Sequence, residues 1–416
     1  MSEDLRTQRY TDADRPGVFA VVRDAFSEQY ANHLMRIWEW KYDSHPLNRE
    51  AALSRRNNHD QLWTYINQNY PHEARSMAGL GAALDDLNQV PDDAPYVLVL
   101  KDGDRVVAMQ GSLPRAFLIN GERHMASIGC DFAVHPEYRG RFLSMRLGLR
   151  ARSEHRISIG WLNESSTTSG RKWRKSVAPI LNSLSISNPP LGTRMRAIAL
   201  VKPIDWPYVV QRATGIKLPA KLTAWVTPGT NRTRTVSAAP PAMSDVDVFN
   251  LEVFDDRIDD LWRRCSRKHP VIGIRDADFL NWRFNLRPDA SYVCLAAARG
   301  VQIIGYLVYR VVERDGGRLG YLADFLTEGE PASIFALLVA SAEQRMVRDG
   351  VQAIVCSIAK TTFRKVLHQA GYYPAIVGAR SYVSAGVSIP DDDTKAFADL
   401  PKWFITSADG DAEMSF

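Results

Sequence analysis

Cysteine is scarce in this sequence. Cys130, Cys265, Cys294 and Cys356 are the only four, far apart, and none stands in a CxxC pair. That excludes the usual zinc spacings and a disulfide framework. Cys130, Cys294 and Cys356 lie in apolar, strand-like runs, where a cysteine behaves as a small hydrophobe. Long apolar runs are missing too. None approaches 18 residues, and the opening stretch Met1 to Tyr10 is polar and charged, without the pattern of a signal peptide. A cytoplasmic protein without membrane attachment is expected. Strong charge of one sign is also absent. A net charge of +5 is too small to argue for nucleic acid or membrane by itself, so no nucleic-acid partner is expected. What is present is ordinary globular material, with 45% hydrophobic and 24% charged residues. A chain of 416 residues suggests two or three domains.

An internal repeat organises the chain. Trp40-Lys41-Tyr42 is followed after three residues by Pro46, and Trp282-Arg283-Phe284 after three residues by Pro288. Strand-like starts follow at Tyr96-Val97-Leu98 and Tyr292-Val293-Cys294. Gly103 and Gly300 each end a strand, an apolar run follows each, and then come Asp131-Phe132 and Asp324-Phe325. The shared order divides the chain into halves, 1–200 and 250–390. Residues 47–95 are an insertion, helical near Gln61 to Asn69. Residues 201–249, rich in Pro, Thr and Gly from Thr214 to Met243, form a linker, and 391–416 a C-terminal tail.

Each half has the same grammar. A helix comes first (17–26; 254–266), then a strand hairpin (96–113; 291–312). A further strand leads into a helix (126–134 then 142–155; 318–326 then 331–348). Another strand (157–163; 352–358), a short helix (169–176; 361–370) and returning strands (180–201; 374–386) complete it. This predicts an α/β (α+β) fold in which each half is a mixed, mostly antiparallel sheet flanked by helices.

The most informative stretch runs from Cys130 to Ser144. An apolar strand enters a Pro-marked turn, a glycine with cationic neighbours follows, and a helix starts. This is how a chain presents backbone N–H groups and a helix N-terminus to phosphate. The glycine lets the main chain come close to a ligand. Arg139, Arg141, Arg146, Arg150, Arg152 and Arg156 are opposed only by Glu154 in that span. Such a field suits a polyphosphate, and equally a solvated helix face.

Val134-His135-Pro136-Glu137-Tyr138-Arg139-Gly140 resembles the strand-and-loop motif of the GNAT superfamily of acyl-CoA-dependent N-acyltransferases. The element order of both halves is similar to that family's fold, so two tandem GNAT-like domains are expected, the second degenerate. The resemblance implies acetyl-CoA or another acyl-CoA as the acyl donor. Its pyrophosphate would lie on the loop Arg139, Gly140, Arg141, Phe142, Leu143 and Ser144. Backbone N–H groups of Phe132, Ala133 and Val134 would meet the thioester, where two strands splay apart, with Asn163 across from them. The second and third glycine positions of the motif carry Phe142 and Ser144. In the other half the corresponding stretch reads Leu326-Thr327-Glu328-Gly329-Glu330-Pro331, whose carboxylates would repel a pyrophosphate.

Acyl transfer to an amine requires a base for the amine, donors for the oxyanion and a proton for the leaving thiolate. Asp131 is a base candidate beside the splay, although Asp324 stands at the matching place where no chemistry is expected. Glu164, closing Trp161-Leu162-Asn163-Glu164, is a second. His135 has a suitable intrinsic pKa and also suits a plain turn. The family's tyrosine acid has its best match in Trp173, which cannot donate that proton. The expected activity is N-acylation of a small-molecule primary amine. A tandem-type aminoacyl or peptidyl transferase using charged tRNA, and a non-catalytic acyl-CoA sensor or scaffold, are the alternatives.

Overall fold

Two seven-strand paths with one shared order form the frame. The computed structural model describes residues 5–69, 95–141, 143, 147, 155, 157–162, 196–215, 243, 245–314, 316–329, 332–375, 382–387 and 399–410. The first sheet runs β1 (Leu5–Arg9), β2 (Tyr96–Asp102), β3 (Arg105–Ile119), β4 (Glu122–Val134), β5 (Ile157–Leu162). The second runs β8 (Asp247–Asn250), β10 (Val293–Arg299), β11 (Gln302–Arg314), β12 (Gly317–Thr327), β13 (Ala353–Ser357). Within these paths every neighbour is antiparallel except β4 with β5 and β12 with β13. The hairpins turn at Gly103 and Gly300, at φ +59° and +60°. β2 reads Tyr-Val-Leu-Val-Leu and is buried from Tyr96 through Leu100, as a strand covered on both faces must be.

The last two strands of each half do not stay together. After β5 the first sheet continues with β15 (Tyr382–Val387) and ends in β6 (Arg196–Ala197). After β13 the second continues with β7 (Ala199–Pro203) and ends in β14 (Tyr373–Pro374). Each half thus keeps its sixth strand at the edge and gives its seventh to the other half, where it pairs antiparallel in the matching slot. Strand β7 and helix α4 (Trp206–Thr214) lie in and beside the stretch read as a linker. Lys202 on β7 is buried and meets buried Glu343 of α7 (Ile334–Arg348) at 2.7 Å, which pins the exchanged strand to the face of its adoptive sheet.

Helix α1 (Arg15–Ala25) packs on β3 and β4, and α2 (Glu28–Trp38) on α1. Ala31, Leu34, Ile37 and Trp38 make the buried stripe of α2, at the three- and four-residue spacing of one helix face. Ser27 caps it, accepting from Tyr30 N–H. The insertion carries α3 (Asn48–Asn69). In the second half α5 (Asp256–Cys265) takes the place of α1, and the short α6 (Ala277–Leu280) leads into the second Trp motif.

Both Trp motifs form a π-helical turn, Glu39–Asp43 and Asn281–Asn285. The two indoles stack on each other, centroids 4.9 Å apart and 14° from parallel. Each donates its N–H to the other's carbonyl, Trp40 Nε1 to Trp282 O at 2.8 Å and Trp282 Nε1 to Trp40 O at 3.2 Å. Equivalent residues in mutual contact mark a local two-fold relation between the halves. One apolar core runs through both. Trp40→Phe should keep most of the stack but leave the buried Trp282 carbonyl without its donor, a loss of about 1–3 kcal/mol in urea unfolding. A loss within about 0.5 kcal/mol, the ordinary surface range, would contradict this reading of the contact.

Residues 403–410, read as part of a tail, are buried throughout. β16 (Trp403–Phe404) runs parallel to β9 (Val271–Gly273), and β9 adds to β3 of the first sheet. Asp409 Oδ1 accepts from Arg115 Nε and Nη2 at 3.1 and 2.7 Å. Its Oδ2 accepts from Arg275 Nη2 at 2.5 Å and Thr406 N–H at 2.9 Å. Arg275 also donates to Asp324. Two buried arginines and two buried aspartates, from both halves and the C-terminal segment, thus neutralise one another. Among the described residues no helix is long and apolar enough to cross a membrane.

Candidate active site

Strands β4 and β5 pair from Ala126/Ile157 to Gly129/Gly160 and no further, although both continue. Beyond that point they part. At the same point β4 loses register with β3, because Asp131 and Phe132 together stand opposite one residue between Gly111 and Met109. Such a bulge re-aims side chains. Asp131 takes φ +47°, a left-handed value that aspartate tolerates better than most residues. Its side chain turns inward and is buried, while Phe132 turns out and is 37% exposed.

The Asp131 carboxylate is fully engaged. Lys41 Nζ and Tyr42 Oη reach its Oδ2, each at 2.6 Å, and Tyr30 Oη reaches Oδ1 at 2.9 Å. Burial alone would raise the pKa of Asp131. The Lys41 ammonium beside it, with the two hydroxyls, holds it below the ordinary carboxylate range. Burial and the adjacent Asp131 charge push Tyr42 well up, so its hydroxyl keeps its proton. Tyr42 also touches Cys130 Sγ at 3.2 Å, and it fits only because residue 111 is glycine: a Cβ there would fall 1.8 Å from the Tyr42 oxygen. Lys41 and Tyr42 belong to the first Trp motif, which the sequence shows as one copy of the internal repeat. A lysine inside an otherwise apolar motif was the available signal for a buried anion.

After Val134 the chain turns. His135 N–H bonds to Val107 O, and Pro136–Tyr138 form one 3-10 turn. His135 Nδ1 accepts from Glu137 N–H at 3.4 Å, and its Nε2 lies 2.9 Å from Arg105 Nη2 and 3.4 Å from Asp24 Oδ2. The imidazole is thus engaged in shaping the turn. Tyr138 Oη donates to Asp102 at 2.6 Å. Gly140 takes φ +82°, with open space where a Cβ would stand. Leu143 and Leu147, four apart on the following helix, bury themselves against Leu98, Leu100, Val107 and Tyr138. Arg139 donates to Ala25 O at the end of α1, at 2.9 Å, and the Arg141 guanidinium lies 4.8 Å from the Tyr138 ring centre. One segment therefore gathers Asp131, Phe132, Ala133, Val134, His135, Arg139, Gly140, Arg141 and Leu143. Phe142, Ser144, Asn163 and Glu164 lie outside the described residues, as do Trp173 and the arginines from Arg146 to Arg156.

The second half has the same opening, now filled. β12 and β13 pair from Leu319/Ala353 to Leu322/Cys356 and then part, beside a bulge that precedes Asp324. Into the gap comes the C-terminal segment. Ala359 N–H bonds to Ile405 O, Ile358 bridges Thr406, and Thr406 Oγ1 donates to Asp324 Oδ1 at 2.5 Å. Tyr306 Oη donates to Asp324 Oδ2 at 2.7 Å. Phe325, the counterpart of Phe132, is fully buried against Phe335, Phe363 and Phe404. Arg283, the counterpart of Lys41, reaches the Ser407 and Gly410 carbonyls at 3.5 and 3.3 Å. Glu328 in the corresponding loop is 3.3 Å from Arg264. Nothing in the composition of 403–410 marked it as the filler of a cleft.

No family model matches this sequence, and no curated protein sequence matches it. Solved structures do. N-myristoyltransferase from Saccharomyces cerevisiae, solved with bound myristoyl-CoA and inhibitors, is similar at TM-score 0.52 and 9% identity over 94% of this chain and 81% of that one. The same enzyme with bound myristoyl-CoA gives TM-score 0.51 and 10% identity over 93% and 79%. A GCN5-related N-acetyltransferase from Anabaena variabilis stands lower, at TM-score 0.49 and 10% identity over 92% and 73%. The likeness is one of fold: the chain has the fold of an N-acyltransferase.

Proposed function

We propose that this chain moves an acyl group from an acyl-CoA to the primary amine of a small molecule, in the cytoplasm, at the splay of the first half. One observation carries the reading. Two equivalent splays exist, and the one that follows into the Arg139-Gly140-Arg141 loop leaves its aromatic exposed at Phe132, whereas the other is filled by residues 403–410.

In this reading the loop amides from Arg139 to Ser144 and the arginines hold the pyrophosphate, with the backbone of Gly140 as the point of closest approach. The unpaired edge of β4 at Phe132, Ala133 and Val134 offers N–H groups to the developing oxyanion. Asp131 serves position: its three donors leave it fixed and ionised, and it holds the bulge that turns Phe132 outward. His135 shapes the turn. Glu164 then takes the proton from the amine, with Asn163 beside it. The second half acts as a degenerate copy that walls the acceptor pocket. The coenzyme A thioester supplies the activated acyl carbon; acetyl-CoA is the first donor to try.

Titration calorimetry on the intact chain should show one acetyl-CoA site. Gly140→Asp should weaken it at least about tenfold, or about 1.4 kcal/mol, by strain at positive φ and by a carboxylate facing the pyrophosphate. Two equivalent sites, or a mutant that binds normally, would overturn the assignment. Thiol release on adding small amines separates a transferase from a mere acyl-CoA sensor: binding with no amine-dependent release would leave only the latter.

A further inference from the structure

Lys360 lies outside the chemistry proposed above. It follows β13 and stands at the N-cap of α8 (Thr361–Gln369), whose first turn holds no acid. Counting from the paired registers, Ala353 in β13 corresponds to Ile157 in β5, because their partners Leu319 and Ala126 stand equally far before Asp324 and Asp131. Lys360 therefore occupies the sequence position that Glu164 holds in the first half.

Its surroundings are unusual for a lysine. The side chain is partly buried, and its Nζ lies 2.6 Å from Nδ1 of buried His269. Among the described residues no carboxylate pairs with it. The charged groups that act on His269 are Lys360 itself, Lys268 and Arg275, all cationic, and Arg275 is already neutralised by Asp324 and Asp409. The helix N-terminus adds further positive potential. His269 is packed against Phe404, with ring centres 4.7 Å apart, so the imidazole cannot turn to water without disturbing the C-terminal segment. Burial lowers the pKa of Lys360, and burial with the Lys360 charge lowers that of His269 to about 3. A desolvated ammonium with no counter-charge, facing a neutral imidazole acceptor, gives up its proton more readily than a surface lysine does.

We propose that Lys360 is a nucleophilic lysine that accepts acyl groups from small thioesters. The free amine attacks the carbonyl carbon, a C–N bond forms and the C–S bond breaks. The sulfur leaves as thiolate and takes up, directly or through water, the proton shed by nitrogen, while neutral His269 Nδ1 holds the attacking amine by its hydrogen bond. The product is an amide, and the positive charge of Lys360 is lost from the wall of the plugged cleft.

The test is competitive labelling of the folded chain with S-phenyl thioacetate, read by peptide mass mapping. This small neutral thioester needs no coenzyme A site, so the outcome is independent of what the first half binds. Lys360 should label about tenfold or more faster than any other lysine, as an activated amine does. Lys360→Arg should remove that adduct and leave the remaining pattern unchanged, and His269→Gln should slow it. Labelling of Lys360 at the common rate, or none, overturns the proposal; because that comparison is made within the unmodified protein, it stands even if the His269 variant fails to fold.

Discussion

Asp409→Ala should destabilise the chain by about 3–5 kcal/mol, the usual result of removing one partner from a buried ion pair. Asp409 has no exposed side-chain surface, and neither does Arg275; Arg115 is 3% exposed. The substitution strands Arg115, whose Nη1 already lacks a hydrogen-bond partner among the described residues, and it strips Arg275 of one of its two carboxylates. It also removes the acceptor that ties Thr406 N–H and so loosens the segment that fills the second cleft. Urea unfolding at constant m-value measures the loss. A C-terminus that merely trailed over the surface would lose less than about 0.5 kcal/mol, and that result would refute the ion network as a brace.

Asp131→Asn should cost a similar amount, about 3 kcal/mol or more, for the same reason: Lys41 and Asp131 each have 1% side-chain exposure. Asparagine keeps the shape and tolerates φ +47°, so the variant isolates charge from backbone strain. Lys41→Met added to it should restore much of the stability, since it removes the buried ammonium that Asp131→Asn leaves without a counter-charge. The sign of the pH dependence follows from the lowered pKa. Asp131 contributes stability above the carboxyl pKa of the unfolded chain, and that contribution disappears as pH falls through its lower folded value. The variant should therefore lose the part of the acid-unfolding slope that the wild type shows there. If Asp131→Asn abolished turnover while leaving stability untouched, Asp131 would be the base and its assignment to positioning would be wrong.

Much of the fold was legible because each strand carries its own evidence. Residues 96–113, 126–134 and 318–326 read as strands from apolar runs near glycine or proline, and the pairing of the Trp motifs and Asp-Phe steps pointed to two halves on one plan. The strand exchange was not legible. Two equivalent slots accept the same apolar pattern, so nothing local in Ala199–Pro203 or Tyr382–Val387 says which sheet it enters. The Arg139-Gly140 loop was readable because phosphate-binding geometry demands a glycine at a fixed place. The Asp131 centre was half readable: the aspartate was singled out, but its donors Tyr30, Lys41 and Tyr42 come from elements some ninety to a hundred residues earlier. The short run Trp403-Phe404-Ile405 in a polar terminus gave no hint that it would enter a core.

The exchanged strands put a clock into the life of the chain. On the ribosome, β5 emerges at residue 162, yet the strand that completes its slot is not made until residue 387. For all that interval the first sheet presents an open edge beside β5, an invitation to pair with another nascent copy. The two halves cannot mature one after the other, as separate domains usually do. They close together, late, when both C-terminal strands are available. A copy that took its missing strand from a neighbour instead would be a swapped dimer with the same strand pairings.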